Sequence, residues 1–249
     1  MEHLERTKLV AHIEADLEHM ISRGALPESG TLPSEQMLAR SYGVARSTIR
    51  EALLRLAARG LVVRRQGRNA RAVALERAVT LENLGMALQA EAIPRLGRRR
   101  LLAGYLELKR ETTSELLVRC CEHASEKDLQ SLATACFELW DVAHRDDGTR
   151  RWVQEEFELL RLAAVAAKRP GHFLLVQSLE RAFWGMAELV RPHLASEAVG
   201  HWALQAMHWL DERNVEAMRT ALPPLLLACD EHVLGSLGPA SGGDGIVES

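Results

Sequence analysis

The sequence predicts a mostly α-helical protein in two parts: an N-terminal helix-turn-helix with a short β wing, then an all-α helical bundle. Three observations predict it. Residues 32–73 carry two short helical patterns around the turn Tyr42-Gly43-Val44, followed by two apolar-basic strand patterns. From about residue 79 the strand patterns vanish, and apolar residues recur at helical spacing to about residue 235. Charge divides the chain in the same way. Between Arg23 and Arg77 stand eleven Lys or Arg, four Glu and no Asp, a balance of +7, whereas residues 78–249 carry 18 basic and 25 acidic residues, a balance of −7.

The first helix presents Leu9, Ile13, Leu17 and Ile21, with Val10 and Met20 beside them, as a broad apolar face. Gly24 ends it, and Leu26-Pro27-Glu28-Ser29-Gly30 loops into Leu32. The second helix follows Leu32-Pro33-Ser34-Glu35 and passes through Leu38-Ala39. In the third, Ile49, Ala52, Leu53 and Leu56 fall at i, i+3, i+4 and i+7, a single buried stripe. Arg46 and Arg50 are four residues apart and share a face away from it, where two guanidinium groups can reach guanine edges or phosphates in a major groove. Strands over Leu61 to Arg65 and Ala70 to Val73 form the wing, with Gln66-Gly67-Arg68-Asn69 at its tip, and a basic, polar connector runs from Arg71 to Ala78. A basic reader joined to an acidic remainder is the asymmetry expected when one module touches nucleic acid.

In the second part, helices are expected near 79–91, 97–123, 126–143, 149–168, 171–193, 196–211 and 214–235. Pro94, Ala124-Ser125, Asp146-Asp147-Gly148, Arg169-Pro170-Gly171, Ala195-Ser196 and Arg213-Asn214 break them. Ser125 and Ser196 precede acidic first turns and read as N-caps. Leu175, Leu179, Ala182, Phe183, Met186 and Val190 form one core stripe, and Gly235 to Ser249, rich in Gly, Ser and Asp, reads as a disordered tail.

At 249 residues and 47% hydrophobic content the chain suits two packed domains. Neither a secretory region nor a span of about 20 apolar residues is present, so no membrane association and a cytoplasmic location are expected. Cys120, Cys121, Cys136 and Cys229 lack paired C-x-x-C spacing and read as reduced core residues. Nucleophile elbows, phosphate loops and dinucleotide fingerprints are missing, and Glu155 with Glu158 reads as solvated charge, so the chain is not expected to be an enzyme.

Residues 7 to 75 closely resemble the DNA-binding domain of the GntR family of bacterial transcriptional regulators, through LPSExxLA, then RxTxREAL, then a GL-plus-QG wing. The resemblance implies DNA contacts from Arg46, Arg50, Gly67 and Arg68, within a candidate set that also holds Ser34, Gln36, Ser47, Thr48 and Gln66. Gln36 stands where many relatives carry arginine. The helical part resembles, less specifically, the effector domain of the FadR branch, through Glu107-Leu108-Lys109, Phe157 and His201. Many members of that branch bind a metal through Asp-x-x-x-His and two later histidines. Here those positions hold Gln154, Glu158, His201 and Pro223, a poor transition-metal set, so no metal and no cofactor are expected.

The implied function is a homodimeric transcription factor that reads double-stranded operator DNA and responds to a small effector in the helical domain, with a repressor expected and an activator left open. Dimerisation follows because one reader covers few base pairs and two copies on a palindrome multiply discrimination. Lys109, Arg161, Arg191 and His201 are the candidate effector anchors, with Lys109 where relatives often carry an arginine that takes a carboxylate, so an anionic effector is expected. An acyl-CoA-responsive regulator of lipid metabolism and an effector-independent DNA binder remain alternatives. The expected division is 1–75 for the reader, 76–95 for a linker and connecting helix, 96–235 for effector binding and dimerisation, and 236–249 for the tail.

Overall fold

The computed structural model describes residues 2–23, 25–27, 29–65, 68–74, 78–146 and 151–237. Gly24, Glu28, the wing-tip pair Gln66-Gly67, residues 75–77 of the connector, Asp147-Gly148 and the tail from residue 238 lie outside the described residues. Two compact units emerge, Met1–Arg98 and Arg99–Ser249.

The first unit contains α1 (Glu2–Ser22), α2 (Glu35–Tyr42), α3 (Arg46–Ala58), β1 (Val62–Val63), β2 (Arg71–Ala72), a 3-10 turn at Leu81–Asn83 and α4 (Leu84–Gln89). Its core is the meeting of two helical stripes. Val10, Ile13, Leu17 and Ile21 of α1 face Ile49, Ala52, Leu53 and Leu56 of α3, all buried. Leu9, grouped with that face by spacing, is instead 38% exposed, because Val10 takes the inward position one residue on. The Ser34 hydroxyl caps α2 by accepting from the Met37 amide at 3.2 Å. Gly43 ends the helix in the left-handed region (φ 64°), where its missing Cβ removes the strain another residue would carry.

Helix α3 starts at Ala45 with no side-chain cap. Ala45→Ser is therefore expected to add about 1 kcal/mol to stability, read as a raised denaturation midpoint at constant m-value.

The wing pairs Val62 with Ala72 and Val63 with Arg71, antiparallel and shorter than the strands expected from the sequence. Its other edge is met by residues 30–32: the Leu32 amide donates to the Ala70 carbonyl at 2.9 Å, and the Ala72 amide to the Gly30 carbonyl at 2.8 Å. A Cβ on Gly30 would sit 3.1 Å from the Ala72 carbonyl, so this close approach needs glycine.

The segment after the wing was expected as one helix over 79–91, but it breaks into the 3-10 turn and α4. Asn83, 1% exposed, explains the break. Its Oδ1 accepts from the Thr80 amide at 2.8 Å, while its Nδ2 donates to the carbonyls of Ala78 (2.6 Å) and Arg59 (3.3 Å). These side-chain bonds compete with a regular helical start. Arg59 in turn forms ion pairs with Glu14 at 3.0 Å and with Glu18, joining the end of α3 to α1. Burial pushes the Glu18 carboxyl above its ordinary range, against the pull of Arg59.

The second unit comprises α5 (Arg95–His123), α6 (Glu126–His144), α7 (Trp152–Ala166), α8 (Pro170–Val190), a 3-10 turn at Arg191–His193, α9 (Ser196–Asp211) and α10 (Val215–Ser236). Helix α6 packs most extensively on α9, where Gly200 lets the Trp140 ring close in. Ser125 caps α6 as expected, accepting from the Asp128 amide at 3.2 Å. Ser196 does not cap α9: the helix begins one residue earlier than that reading implies, with Ala195 at the cap position. Helix α8 opens with Pro170, whose missing N–H costs nothing there, and gives way at Arg191 to the 3-10 turn that contains Pro192. Helix α10 runs on through Pro223 and Pro224.

All four cysteines are free, and burial pushes the Cys120 thiol up to about 12. Among the described residues no helix is long and apolar enough to cross a membrane.

Candidate nucleic-acid interface and buried cavity

Two places concentrate chemistry, one in each unit. In the first unit, the start of α2, the exposed face of α3 and the base of the wing enclose a concave surface lined by Ser34, Glu35, Gln36, Arg46, Arg50, Arg64, Arg65 and Arg68. Five arginines face a single carboxylate there. Glu35 holds three of them. Its carboxylate accepts from Arg50 and from Arg64, each at 3.1 Å, and lies 4.0 Å from Arg46. The hydrogen bond from Arg50 pulls the Glu35 carboxyl below its ordinary range, and Arg64 adds to that pull against the opposing effect of burial. One acid thus orders guanidinium groups from a helix and from the wing before any partner arrives, lowering the entropy that ordering them on binding would cost.

The structure brings Ser34, Gln36, Arg46, Arg50 and Arg68 together on this surface. Ser47 is exposed on α3 but outside the concavity, and Thr48 is only 6% exposed, packed inward beside Ile49. Glu35, Arg64 and Arg65 are the members that the sequence reading did not single out.

The second unit holds a cavity between α5, α7, α8, α9 and α10. Its free interior is about 40 Å³, room for water-sized guests, within a recess of about 630 Å³. Apolar side chains such as Leu106, Val153, Leu226 and Val233 form most of the wall. Four charged residues break it. Lys109 Nζ donates to Glu156 Oε1 at 2.6 Å, and that carboxylate is 5% exposed. Arg110 pairs with Asp230 across from α10. Lys109 also sits 5.8 Å from the centre of the Phe157 ring, a cation–π contact. Tyr105 and Thr113 are already satisfied, donating to the carbonyls of Leu179 and Lys109 at 2.9 Å each. The indole Nε1–H of Trp152 is different: it is buried and has no acceptor among the described residues. Burial, with Glu156 adding to it, pushes the Cys229 thiol up to about 12, so it lines the wall as a neutral group.

Of the four residues that sequence assigned to effector binding, Lys109 lines this cavity, and Arg161, Arg191 and His201 are not among its lining residues. Arg161 instead forms ion pairs with Glu158 and with Glu180 of α8. His201 is exposed, and Arg191 lies in the 3-10 turn after α8. The cavity face of α7 carries Trp152, Val153 and Glu156, whereas Gln154 and Glu158, which fall at the metal-ligand positions of the resembled family, are exposed. Among the described residues no group of three or more His, Cys, Asp or Glu side chains is placed to hold a metal ion.

Known proteins match this arrangement. Residues 9–71 fit the family of bacterial regulatory proteins called gntR. The chain is 33% identical over 132 residues to the HTH-type transcriptional repressor NanR of Klebsiella aerogenes, a match spanning 53% of this chain and 49% of that protein. It is 35% identical over 198 residues to the repressor of the same name from Escherichia coli O1:K1, spanning 79% of this chain and 70% of that one. A solved structure of Lar, described as controlling expression of the Listeria monocytogenes agr system, shares the fold with a TM-score of 0.57 over 90% of this chain and 95% of that chain, at 16% identity. The matched proteins are transcriptional regulators rather than enzymes, and the chain belongs to the GntR family of DNA-binding bacterial transcriptional regulators.

Proposed function

We propose that this regulator binds double-stranded operator DNA as a homodimer in the cytoplasm, and that a small carboxylate-bearing metabolite in the cavity of the second unit sets its operator affinity. In this reading Arg46 and Arg50 reach base edges or phosphates, while Ser34, Gln36, Ser47 and the wing residues Arg64, Arg65 and Arg68 hold the backbone. Gln66 and Gly67 remain candidate contacts by resemblance, at the wing tip.

The observation that carries the effector half is the Lys109–Glu156 pair on the cavity wall. A buried ion pair adds little net stability over apolar packing, so placing one beside an unmatched indole donor suits ligand recognition better than folding. This favours a regulated protein over an effector-independent binder. A free interior of about 40 Å³ is small for any organic guest, so the wall must open to admit one, and the smaller opening needed by a short acid favours it over an acyl-CoA. Ligand binding would shift the balance between states of the helical domain that hold the two readers of the dimer at different spacings.

The test begins with an operator selected from a random duplex pool, followed by gel-shift titration with and without a panel of small carboxylates. At least one acid is expected to move the midpoint. A selected operator whose affinity no carboxylate alters would sink the effector reading, and failure to select any operator would sink the DNA reading.

A further inference from the structure

Building on the effector reading above, we propose that the metabolite is an amino acid with an apolar side chain, its carboxylate taken by Lys109 and the Trp152 indole and its ammonium by Glu156. The argument rests on the charge inventory of the cavity wall. Two cations, Lys109 and Arg110, face two carboxylates, Glu156 and Asp230, so the wall sums to zero. All four side chains are at most 20% exposed, which makes any uncompensated charge introduced there costly.

Each class of guest meets this wall differently. A simple carboxylate brings a third negative group to two cations and leaves one negative charge uncompensated. A simple amine does the reverse. A neutral guest leaves both ion pairs as they are and gains nothing from them. A zwitterion alone can enter by exchange. Its carboxylate replaces Glu156 as the partner of Lys109, its ammonium replaces Lys109 as the partner of Glu156, and the sum stays at zero. The 2.6 Å separation of Lys109 Nζ and Glu156 Oε1 shows that a donor and an acceptor already stand side by side, as an α-amino acid head group requires.

Trp152 supplies the second, independent observation. It is 2% exposed and, like Ser114 Oγ and Arg169 Nε elsewhere, its Nε1–H has no partner among the described residues, but Trp152 alone of the three lines the cavity, where a guest could complete it. A ligand carboxylate offers lone pairs to both the indole and Lys109. Past the head group the wall turns apolar, with Val153, Leu226 and Val233, which suits an aliphatic side chain. The small free interior means that the ligand enters by parting the existing ion pair and opening the wall, not by filling an empty chamber.

The experiment uses the full-length protein and two readouts, thermal shift and gel shift on its selected operator. Each proteinogenic L-amino acid is tested at millimolar concentration. The strongest binder is then compared with its deaminated acid and its decarboxylated amine. An aliphatic amino acid is expected to bind and to change operator affinity. Each truncated analogue is expected to bind about 10- to 150-fold more weakly, the equivalent of one lost charge-assisted hydrogen bond. The double variant Lys109→Met with Glu156→Gln removes the pair without leaving either charge alone, so it stays folded by circular dichroism and loses the amino-acid response. Three results would overturn the proposal: no amino acid binds, the deaminated acid binds as tightly as its parent, or the folded double variant responds as the wild type does. Acids that act without needing an amine would leave the carboxylate reading standing while removing this one. Silence from acids and amino acids alike would remove both.

Discussion

Arg50→Ala is expected to weaken operator binding by about 1–3 kcal/mol, the worth of one good contact to a base edge. The loss should appear in binding and not in folding. Arg50 is 55% exposed, while the stripe that anchors α3 (Ile49, Ala52, Leu53 and Leu56) is buried on the opposite face. The substitution also takes from Glu35 one of its two hydrogen-bonded arginines, leaving that carboxylate with Arg64 and the more distant Arg46. A negative group then faces the phosphates less fully neutralised, which deepens the loss. Fluorescence anisotropy on the selected operator and on point-mutated duplexes separates two contributions. A base contact shows as relaxed discrimination at one position, and a phosphate contact as uniform weakening with a shallower salt dependence. A folded Arg50→Ala protein with unchanged affinity would remove Arg50 from the interface.

The second large effect is on stability. Lys109→Ala should cost about 3–5 kcal/mol in denaturant unfolding, because it strands the Glu156 carboxylate, 5% exposed, without its cation. Lys109→Met combined with Glu156→Gln should recover most of that loss, since neither charge is then alone. The comparison matters because alanine at Lys109 mixes two effects, lost ligand contact and lost folding energy. An unfolding midpoint for Lys109→Ala equal to that of the wild type would mean that the pair is exposed to water in solution, and the cavity argument would fail with it.

Much of the fold was legible because its signals are local. The stripe of α3, the turn at Gly43 and the Ser125 cap each depend on residues within a turn or two, and each stands where the sequence placed it. The arginine surface was legible only in part. Glu35 and Arg64 are 29 positions apart, and nothing in their spacing says that the wing folds back to bring them within 3.1 Å. As a residue in the first turn of a helix, Glu35 reads as ordinary dipole compensation.

Helix α7 shows a different limit. Periodicity sets Glu158 and Arg161 on one face, and they do pair. It could not say which face turns inward, because Leu159, Leu160, Leu162 and Val165 spread apolar character round much of the helix. The inward face proved to be that of Trp152 and Glu156, chosen by contacts with α5 that lie about 47 residues away in sequence. Charge pairing over such distances leaves no periodic trace.

Asn83 has a mechanical consequence. The chain leaving the reader passes through residues 78–98, and Asn83 fastens that strap to the last turn of α3 through the Arg59 carbonyl, while the Ala92 amide fastens it to the end of α1 through Ser22. The strap is therefore pinned, within the first unit, to the root of α3 and to the end of α1. On the proposed effector reading, Asn83→Ala is expected to leave operator binding and ligand binding in place while weakening the effect of each on the other, which paired titrations would show.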